Sequence, residues 1–270
     1  MSSLSLLIRN IPSWVTIEPN SGSFVHVAAT IAIEGKPSQT FDLKIRNSDH
    51  GGVSVFEQEG KGKCPAFCLA RHVNSDSSFC VFYGSQNKLT EDVDAKTWWS
   101  HLAIFLKNQV YAEKFGIWPI GAELSHGEAA CEQIEIEKLA DPLGWKDEIW
   151  QGIFRRKGWI ADPLGRVSKN GENLINARSP CPRGCTRKHK QLRQRSCRVS
   201  SCNLDCKKQH KTILRTDCPH RRSIERIIIH EHRRRKIEAI VTQNLFKDGH
   251  RCCGKMKFCH LRDLQAQLNK

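Results

Sequence analysis

Acidic residues are scarce in the last third of this chain, cysteines are scarce in the rest of it, and a long apolar run occurs nowhere. Without such a run no helix can cross a bilayer, so no membrane partner is expected. Met1–Trp14 has no basic start followed by an apolar stretch and a small-residue cleavage site, so no secretory signal is read there. The expected location is cytoplasmic, where clustered cysteines bind metal or react more often than they form disulfides. Thirteen cysteines are an odd number, which leaves at least one thiol outside any complete pairing.

What is present divides sharply. Residues 181–270 hold 24 Lys+Arg against 7 Asp+Glu, so the whole net charge of +15 belongs to this third. Nine of the 13 cysteines lie there too. Two properties changing together predict a domain boundary, giving 1–170 as one domain with a helical extension and 181–270 as a basic cysteine-rich module. Residues 170–180 read as the linker. At 39% hydrophobic residues the 270-residue chain is globular, with room for one real core and a smaller second one.

Periodicity gives the fold class. Val25, Val27, Ala29, Ile31 and Ile33 alternate with less apolar residues, as do Phe41, Leu43 and Ile45. Period two marks half-buried strands, and turns at Gly35–Ser38 and Ser48–Gly52 link them to a third strand at Val53–Phe56. Short links between consecutive strands predict an antiparallel meander. From about Asp94 the period becomes three to four, through Trp98/Trp99, Leu102, Phe105/Leu106 and Gln109/Val110, predicting a helix stopped by Gly116 and Pro119. Ser125-His126-Gly127-Glu128 has the form of a capping box opening a second helix that runs to Leu139. In that helix Cys131 is expected in the core. A third helix is expected over about 147–156, and a long one over about 223–246 with Ile224, Ile227, Ile228, Ile240 and Val241 on one side. Strands first and helices afterwards make the class α+β. The pentapeptide Ala-Asp-Pro-Leu-Gly, at 140–144 and again at 161–165, predicts two similar helix exits.

The chemistry centres on Arg71-His72-Val73-Asn74-Ser75-Asp76-Ser77-Ser78-Phe79-Cys80. A thiol soon after an asparagine carboxamide is a nucleophile beside a hydrogen-bond donor, which is what acyl transfer through a thioester requires. Two other readings stand beside it. Cys80 within Phe79-Cys80-Val81-Phe82 fits a buried core cysteine. Cys64, Cys68, His72 and Cys80 fit a metal site.

A strand meander, then Pro65-Ala66-Phe67, His72-Val73-Asn74, Phe79-Cys80-Val81 and a Trp-bearing helix resembles the ubiquitin-conjugating enzymes over roughly residues 20–120. The resemblance is to their divergent bacterial branch, whose members sit in operons with ubiquitin-like proteins and activating enzymes, and several of which have a cysteine-rich tail. It implies that Cys80 accepts the modifier's C-terminal carbonyl as a thioester. It implies that Asn74 serves the oxyanion formed when a lysine attacks, and that His72 braces the turn. One well-placed donor to such an oxyanion is worth on the order of 3 kcal/mol. The implied partners are a ubiquitin-like modifier, an activating enzyme and a ligase or protein target, and the implied setting is a bacterial operon, with antiviral defence as one such role. The chain departs from the family at Val73, where the family has proline, in a shorter gap from Asn74 to Cys80, and in a tryptophan arriving only at Trp98/Trp99. Pro12 and Pro19 argue against an N-terminal helix in Met1–Asn20.

In the tail the candidate metal ligands are Cys181, Cys185, Cys197, Cys202, Cys206, Cys218, Cys252, Cys253 and Cys259, with His189, His210, His220 and His260 nearby. Thiolates in close pairs suit tetrahedral zinc, and this module has few large apolar side chains, so zinc would add directly to its folding energy. The spacings leave the pairing of ligands open. The run Arg233-Arg234-Arg235-Lys236 could hold phosphate, which keeps nucleic acid among the expected partners. Only Phe246 and Phe258 supply aromatics in this third, too few for stacking on single strands. Two functions follow: a conjugating enzyme using Cys80, or a zinc-containing nucleic-acid-binding or adaptor protein without catalysis.

Overall fold

The computed structural model describes residues 2–18, 23–48, 52–82, 89–175 and 218–268. They group into two units, Met1–His126 with Ala239–Lys270, and Gly127–Glu238. The last residues thus group with the first, whereas charge and cysteine content place a boundary near 181, a position outside the described residues.

The first unit is built on a four-stranded antiparallel meander, β1 (Val15–Ile17), β2 (Phe24–Ile33), β3 (Lys36–Asn47) and β4 (Val53–Glu57), in that spatial order. The α+β reading holds. Val27 pairs with Leu43, and Ile45 with Val55, so the alternating apolar residues of three strands share one face. Val25, Val27, Ala29, Ile31, Phe41, Leu43 and Ile45 are all buried. The first turn is shorter than the sequence indicates, because β3 already begins at Lys36 and Gly35 alone takes the left-handed conformation.

Helix α2 (Asp92–Phe115) crosses that face with Ala95, Trp98, Trp99, Leu102, Phe105, Leu106, Gln109 and Ala112 buried. Glu91 and Asp94 cap its start reciprocally, and Gly116 ends it at φ 67°. At Gly116 a side chain is excluded twice over: its φ of 67° is left-handed, and a Cβ would stand 2.8 Å from the Lys255 carbonyl oxygen. The Gly116 carbonyl accepts the Lys257 N–H at 2.7 Å.

An N-terminal helix does form, contrary to the proline argument. Helix α1 (Ser3–Arg9) ends before Pro12, so neither proline falls inside it. Ser2 caps it by accepting the Ser5 N–H, and Leu4, Leu6 and Leu7 are buried, each contributing roughly 1.5–3 kcal/mol. The Trp99 indole N–H donates to the Leu7 carbonyl at 3.2 Å, and Arg9 and Asn10 both reach Asp92.

The second unit contains α3 (Ala129–Ala140), α4 (Lys146–Arg155) and the first part of α5 (Arg221–Lys247), while α5 from Ala239 belongs to the first unit. Its core joins Ile136, Ala140, Trp145, Ile149, Ile153 and Ile160 to Ile224, Ile227 and Ile228. Ile240 departs from the expected stripe and is exposed. Ser125 is no N-cap: α3 starts after Glu128, which gives no side-chain cap, and Ser125 is buried. Cys131, expected in the core, is exposed, because the buried positions of α3 are Ala129, Ala130, Gln133, Ile136 and Ala140. Of the two pentapeptides only 140–144 is a helix exit, a 3-10 turn closed by Gly144; the copy at 161–165 follows a turn rather than a helix.

The basic run is spent inside this unit. Arg234 is buried between Glu231 and Glu238, Arg235 pairs with Glu231 and reaches the Ile160 carbonyl, and Arg233 donates to the Gly171 carbonyl at 3.1 Å. Burial opposes the charge of Arg234, but its two carboxylate partners hold its pKa above the usual arginine value. Only Lys236 of the four is exposed. A last helix, α6 (His260–Leu268), closes the chain and was not legible in the sequence. Among the described residues no helix is long and apolar enough to cross a membrane.

Gly152 is where α4 meets Ile160: a Cβ there would lie 1.8 Å from the Ile160 Cγ2. Gly152→Ala is expected to cost about 1–3 kcal/mol through overpacking. Chemical denaturation checks this, and an unchanged midpoint would show that Ile160 has room to retreat.

Candidate functional site

The residues around Cys80 are held by a compact set of backbone bonds. Leu69–Arg71 form one 3-10 turn, which His72 ends in the left-handed conformation at φ 54°, ψ 38°. The reversal lets Cys68 and Val73 exchange both backbone hydrogen bonds, at 3.2 and 3.1 Å. Phe79 then donates its N–H to the Val55 carbonyl on β4, and the Cys80 N–H donates to the His72 carbonyl, both at 2.8 Å. The main chain of Cys80 is therefore tied to that of His72, and the Phe79 bond to β4 fixes this stretch on the sheet.

Val73 at the family's proline position has a local reason. Its N–H is one of the two bonds to Cys68, its side chain is 1% exposed, and proline would remove that donor. The preceding His72, left-handed here, would also be forced against the ring.

The Asn74 side chain is exposed and oriented by its neighbours. Its amide donates to the Ser78 Oγ at 2.9 Å, and Ser78 in turn donates from both its N–H and its hydroxyl to Asp76 Oδ1, at 3.0 and 2.6 Å. An asparagine amide carries two N–H donors, and this chain engages one of them. Ser78 and Asp76 are the residues sequence reasoning missed here; both lie within four positions of Asn74, a spacing at which short polar side chains bond locally.

Cys80 is half-buried. Its thiol lies 3.7 Å from the Phe82 carbonyl as a weak donor, and burial raises its pKa above the ordinary thiol value. The His72 ring meets Trp118 edge-on at 5.0 Å and stacks with His126 at 5.6 Å. His126 Nε2 lies 2.9 Å from the Leu69 carbonyl, which can only accept, so that nitrogen carries the proton.

The whole loop is tied to α2 through Arg71, 2% exposed. Its guanidinium donates to Gln109 Oε1 at 2.8 Å and to Glu113 at 2.5 Å, while Gln109 returns a bond to the Arg71 carbonyl at 2.8 Å. Lys255 adds a second cation to Glu113 at 2.6 Å, and with Arg71 it holds that carboxyl below the usual range.

The alternative set Cys64, Cys68, His72 and Cys80 is not gathered. The Cys68 sulfur instead contacts Cys253 at 3.0 Å, and among the described residues no group of three or more His, Cys, Asp or Glu side chains is placed to hold a metal ion. Cys64 is pushed up to about 12, mainly by burial. Of the expected tail ligands, Cys218, Cys252, Cys253 and Cys259 are described; Cys181, Cys185, Cys197, Cys202 and Cys206 lie outside the described residues.

Val73→Pro is expected to cost about 1–3 kcal/mol by removing one of the two backbone bonds to Cys68 and crowding the left-handed His72 against the ring. Thermal unfolding of the variant measures it, and wild-type stability would mean that the hairpin at 68–73 is dispensable. Because burial raises the Cys80 pKa, its alkylation by iodoacetamide should keep accelerating as pH climbs past 9.0. A rate that levels off at lower pH, followed on the Cys80 peptide by mass spectrometry, would contradict a desolvated thiol.

Residues 14–120 match the family model described as the prokaryotic E2 domain. No curated protein and no solved structure matches the chain.

Proposed function

Residues 14–120 being those of a divergent bacterial E2-like protein, we propose that the chain is a conjugating transferase that carries a ubiquitin-like modifier on Cys80 and passes it to an amine. The activating enzyme delivers the modifier as a thioester. The Cys80 thiol yields its proton to solvent, its sulfur attacks that carbonyl, and the displaced thiolate of the activating enzyme takes a proton up, so one thioester replaces another with no net change in protons. An amine then attacks, the tetrahedral oxyanion forms, and its collapse breaks the C–S bond and expels the Cys80 thiolate; the extra proton on nitrogen passes through solvent to that sulfur, leaving a neutral amide and a free thiol.

The observation that supports this reading is the backbone bond that ties the half-buried Cys80 to the turn bearing Asn74, whose carboxamide is oriented by Ser78. The Cys80 N–H is fixed on the His72 carbonyl, and Ser78 engages one N–H of Asn74. The second N–H is the donor assigned to the oxyanion. His72 works through its backbone and its ring packing, as a positioning residue. The basic run offers the nucleic-acid reading little support, since three of its four side chains are engaged within the protein. The partners this function requires are the modifier, an activating enzyme and an acceptor, chosen with or without a ligase.

The test combines the chain with a bacterial ubiquitin-like protein, an adenylating activating enzyme that charges it, and ATP. A thiol-sensitive adduct should form, vanish in Cys80→Ala, and become a thiol-resistant ester in Cys80→Ser. Asn74→Ala should still load the modifier but discharge it to lysine about 100-fold more slowly. An adduct that persists in Cys80→Ala would sink the assignment.

A further inference from the structure

We propose that Cys68 and Cys253 are a thiol–disulfide pair, which a low-molecular-weight disulfide oxidises to a reversible cross-link fastening the C-terminal segment to the loop that leads to Cys80. Their sulfurs stand 3.0 Å apart, although 185 residues separate them in sequence. Both are free thiols here. Disulfide sulfurs lie about 2 Å apart, so the pair reaches bonding distance by closing roughly 1 Å.

Contacts other than the sulfurs hold both sides in place. Cys68 exchanges two backbone bonds with Val73, at 3.2 and 3.1 Å, and its side chain is buried. On the other side, the segment after α5 is fixed at three points. The His250 ring lies 4.5 Å from that of Phe67, Lys255 donates to Glu113 at 2.6 Å, and the Lys257 N–H donates to the Gly116 carbonyl at 2.7 Å. Cys253 lies between the first and second of these, and Gly254, left-handed at φ 79°, turns the chain immediately after it. Glu113 also accepts from Arg71, three residues beyond Cys68, so one carboxylate braces both sides of the sulfur contact.

As a hydrogen bond this contact contributes little, since S–H is a weak donor and sulfur a weak acceptor. In bond formation the same proximity counts for far more, because the second sulfur is already at hand when the first is oxidised.

Exposure sets the order of the steps. Cys68 is buried and Cys253 half-buried, so Cys253 meets the oxidant first. Its thiol gives its proton to solvent, and the sulfur attacks one sulfur of a small disulfide such as oxidised glutathione. The S–S bond breaks, a mixed disulfide forms on Cys253, and one glutathione thiolate leaves and takes up a proton. The Cys68 thiol then loses its proton, its sulfur attacks that of Cys253, and the second glutathione thiolate leaves and is protonated. Two protein thiols are oxidised and one small disulfide is reduced to two thiols, with no net change in protons. Excess small thiol runs the sequence backwards. The link acts on the loop through the main chain: Cys68 is bonded to Val73, and the neighbouring His72 carbonyl holds the Cys80 N–H.

The experiment incubates the full reduced chain with oxidised glutathione, with and without a chelator, caps the remaining thiols with iodoacetamide and maps the unreduced tryptic digest by mass spectrometry. The expected product joins peptide 64–71 to peptide 252–255, and excess reduced glutathione removes it. Each peptide holds two cysteines, so single variants assign the sulfurs. Cys64→Ala and Cys252→Ala should keep the link, whereas Cys68→Ala and Cys253→Ala should lose it. Should a variant not fold, fragmentation of the wild-type product names the two sulfurs. Amide exchange over residues 69–80 should slow several-fold on oxidation and recover on reduction. Glutathione left on Cys253 as the end product, a link to another cysteine in its place, a link that forms only once the chelator is added, or unchanged amide exchange would each overturn the proposal. None of these readouts depends on modifier transfer.

Discussion

A single buried guanidinium holds the loop that leads to Cys80 in place. Burying an unpaired charge costs several kcal/mol, and Arg71 escapes that cost only because Gln109 and Glu113 on α2 meet its donors. The bond returned by Gln109 to the Arg71 carbonyl locks main chain as well as side chain. From that anchor the geometry runs outward without slack. The 3-10 turn ends at His72, the left-handed reversal brings Val73 back to Cys68, and the His72 carbonyl takes up the Cys80 N–H. Any shift of α2 against the sheet would therefore be felt at the thiol, and the Trp98, Leu102 and Leu106 packing that prevents the shift belongs to the same machinery.

The environment of Cys80 also constrains how the proposed transfer is driven. A desolvated thiol of raised pKa is mostly protonated at neutral pH, so it is protected from stray electrophiles. The same raised pKa makes it a slower leaving group when a thioester on it is attacked. Acceleration must then come from the developing oxyanion rather than from the departing sulfur. In the proposed transfer that burden falls on the Asn74 carboxamide, an exposed amide that Ser78 and Asp76 hold in one orientation.

The strands and α2 were legible because their apolar periods of two and three to four are local and long. The nearness of Cys80 to His72 was local as well, since the two lie within nine residues and their main chains are hydrogen-bonded. Helix α1 was hidden by prolines that sit beyond its end, and α6 is too short to announce a period. The contacts that brace the site escaped because partners lie far apart in sequence: Arg71 is 38 residues from Gln109, and Cys68 is 185 from Cys253. Composition misled at Ser125 and Cys131, where a cap-like tetrapeptide and an apolar helical position gave way to the actual start and face of α3.

The basic run shows the same limit from the opposite side. Four consecutive cationic residues on a helix have the composition of a phosphate-binding face. Yet α5 continues its buried row from Ile224, Ile227 and Ile228 into Glu231, Arg234 and Glu238 at the same three-to-four spacing, so the inward face turns ionic halfway along. Such a buried triad adds little net stability, because desolvation offsets the Coulomb gain, but it is costly to break. It therefore fixes which face of α5 points inward more than how tightly the helix is held. The charge that could attract an acidic partner is correspondingly smaller than the sequence count implies, since here the guanidiniums neutralise carboxylates of their own helix.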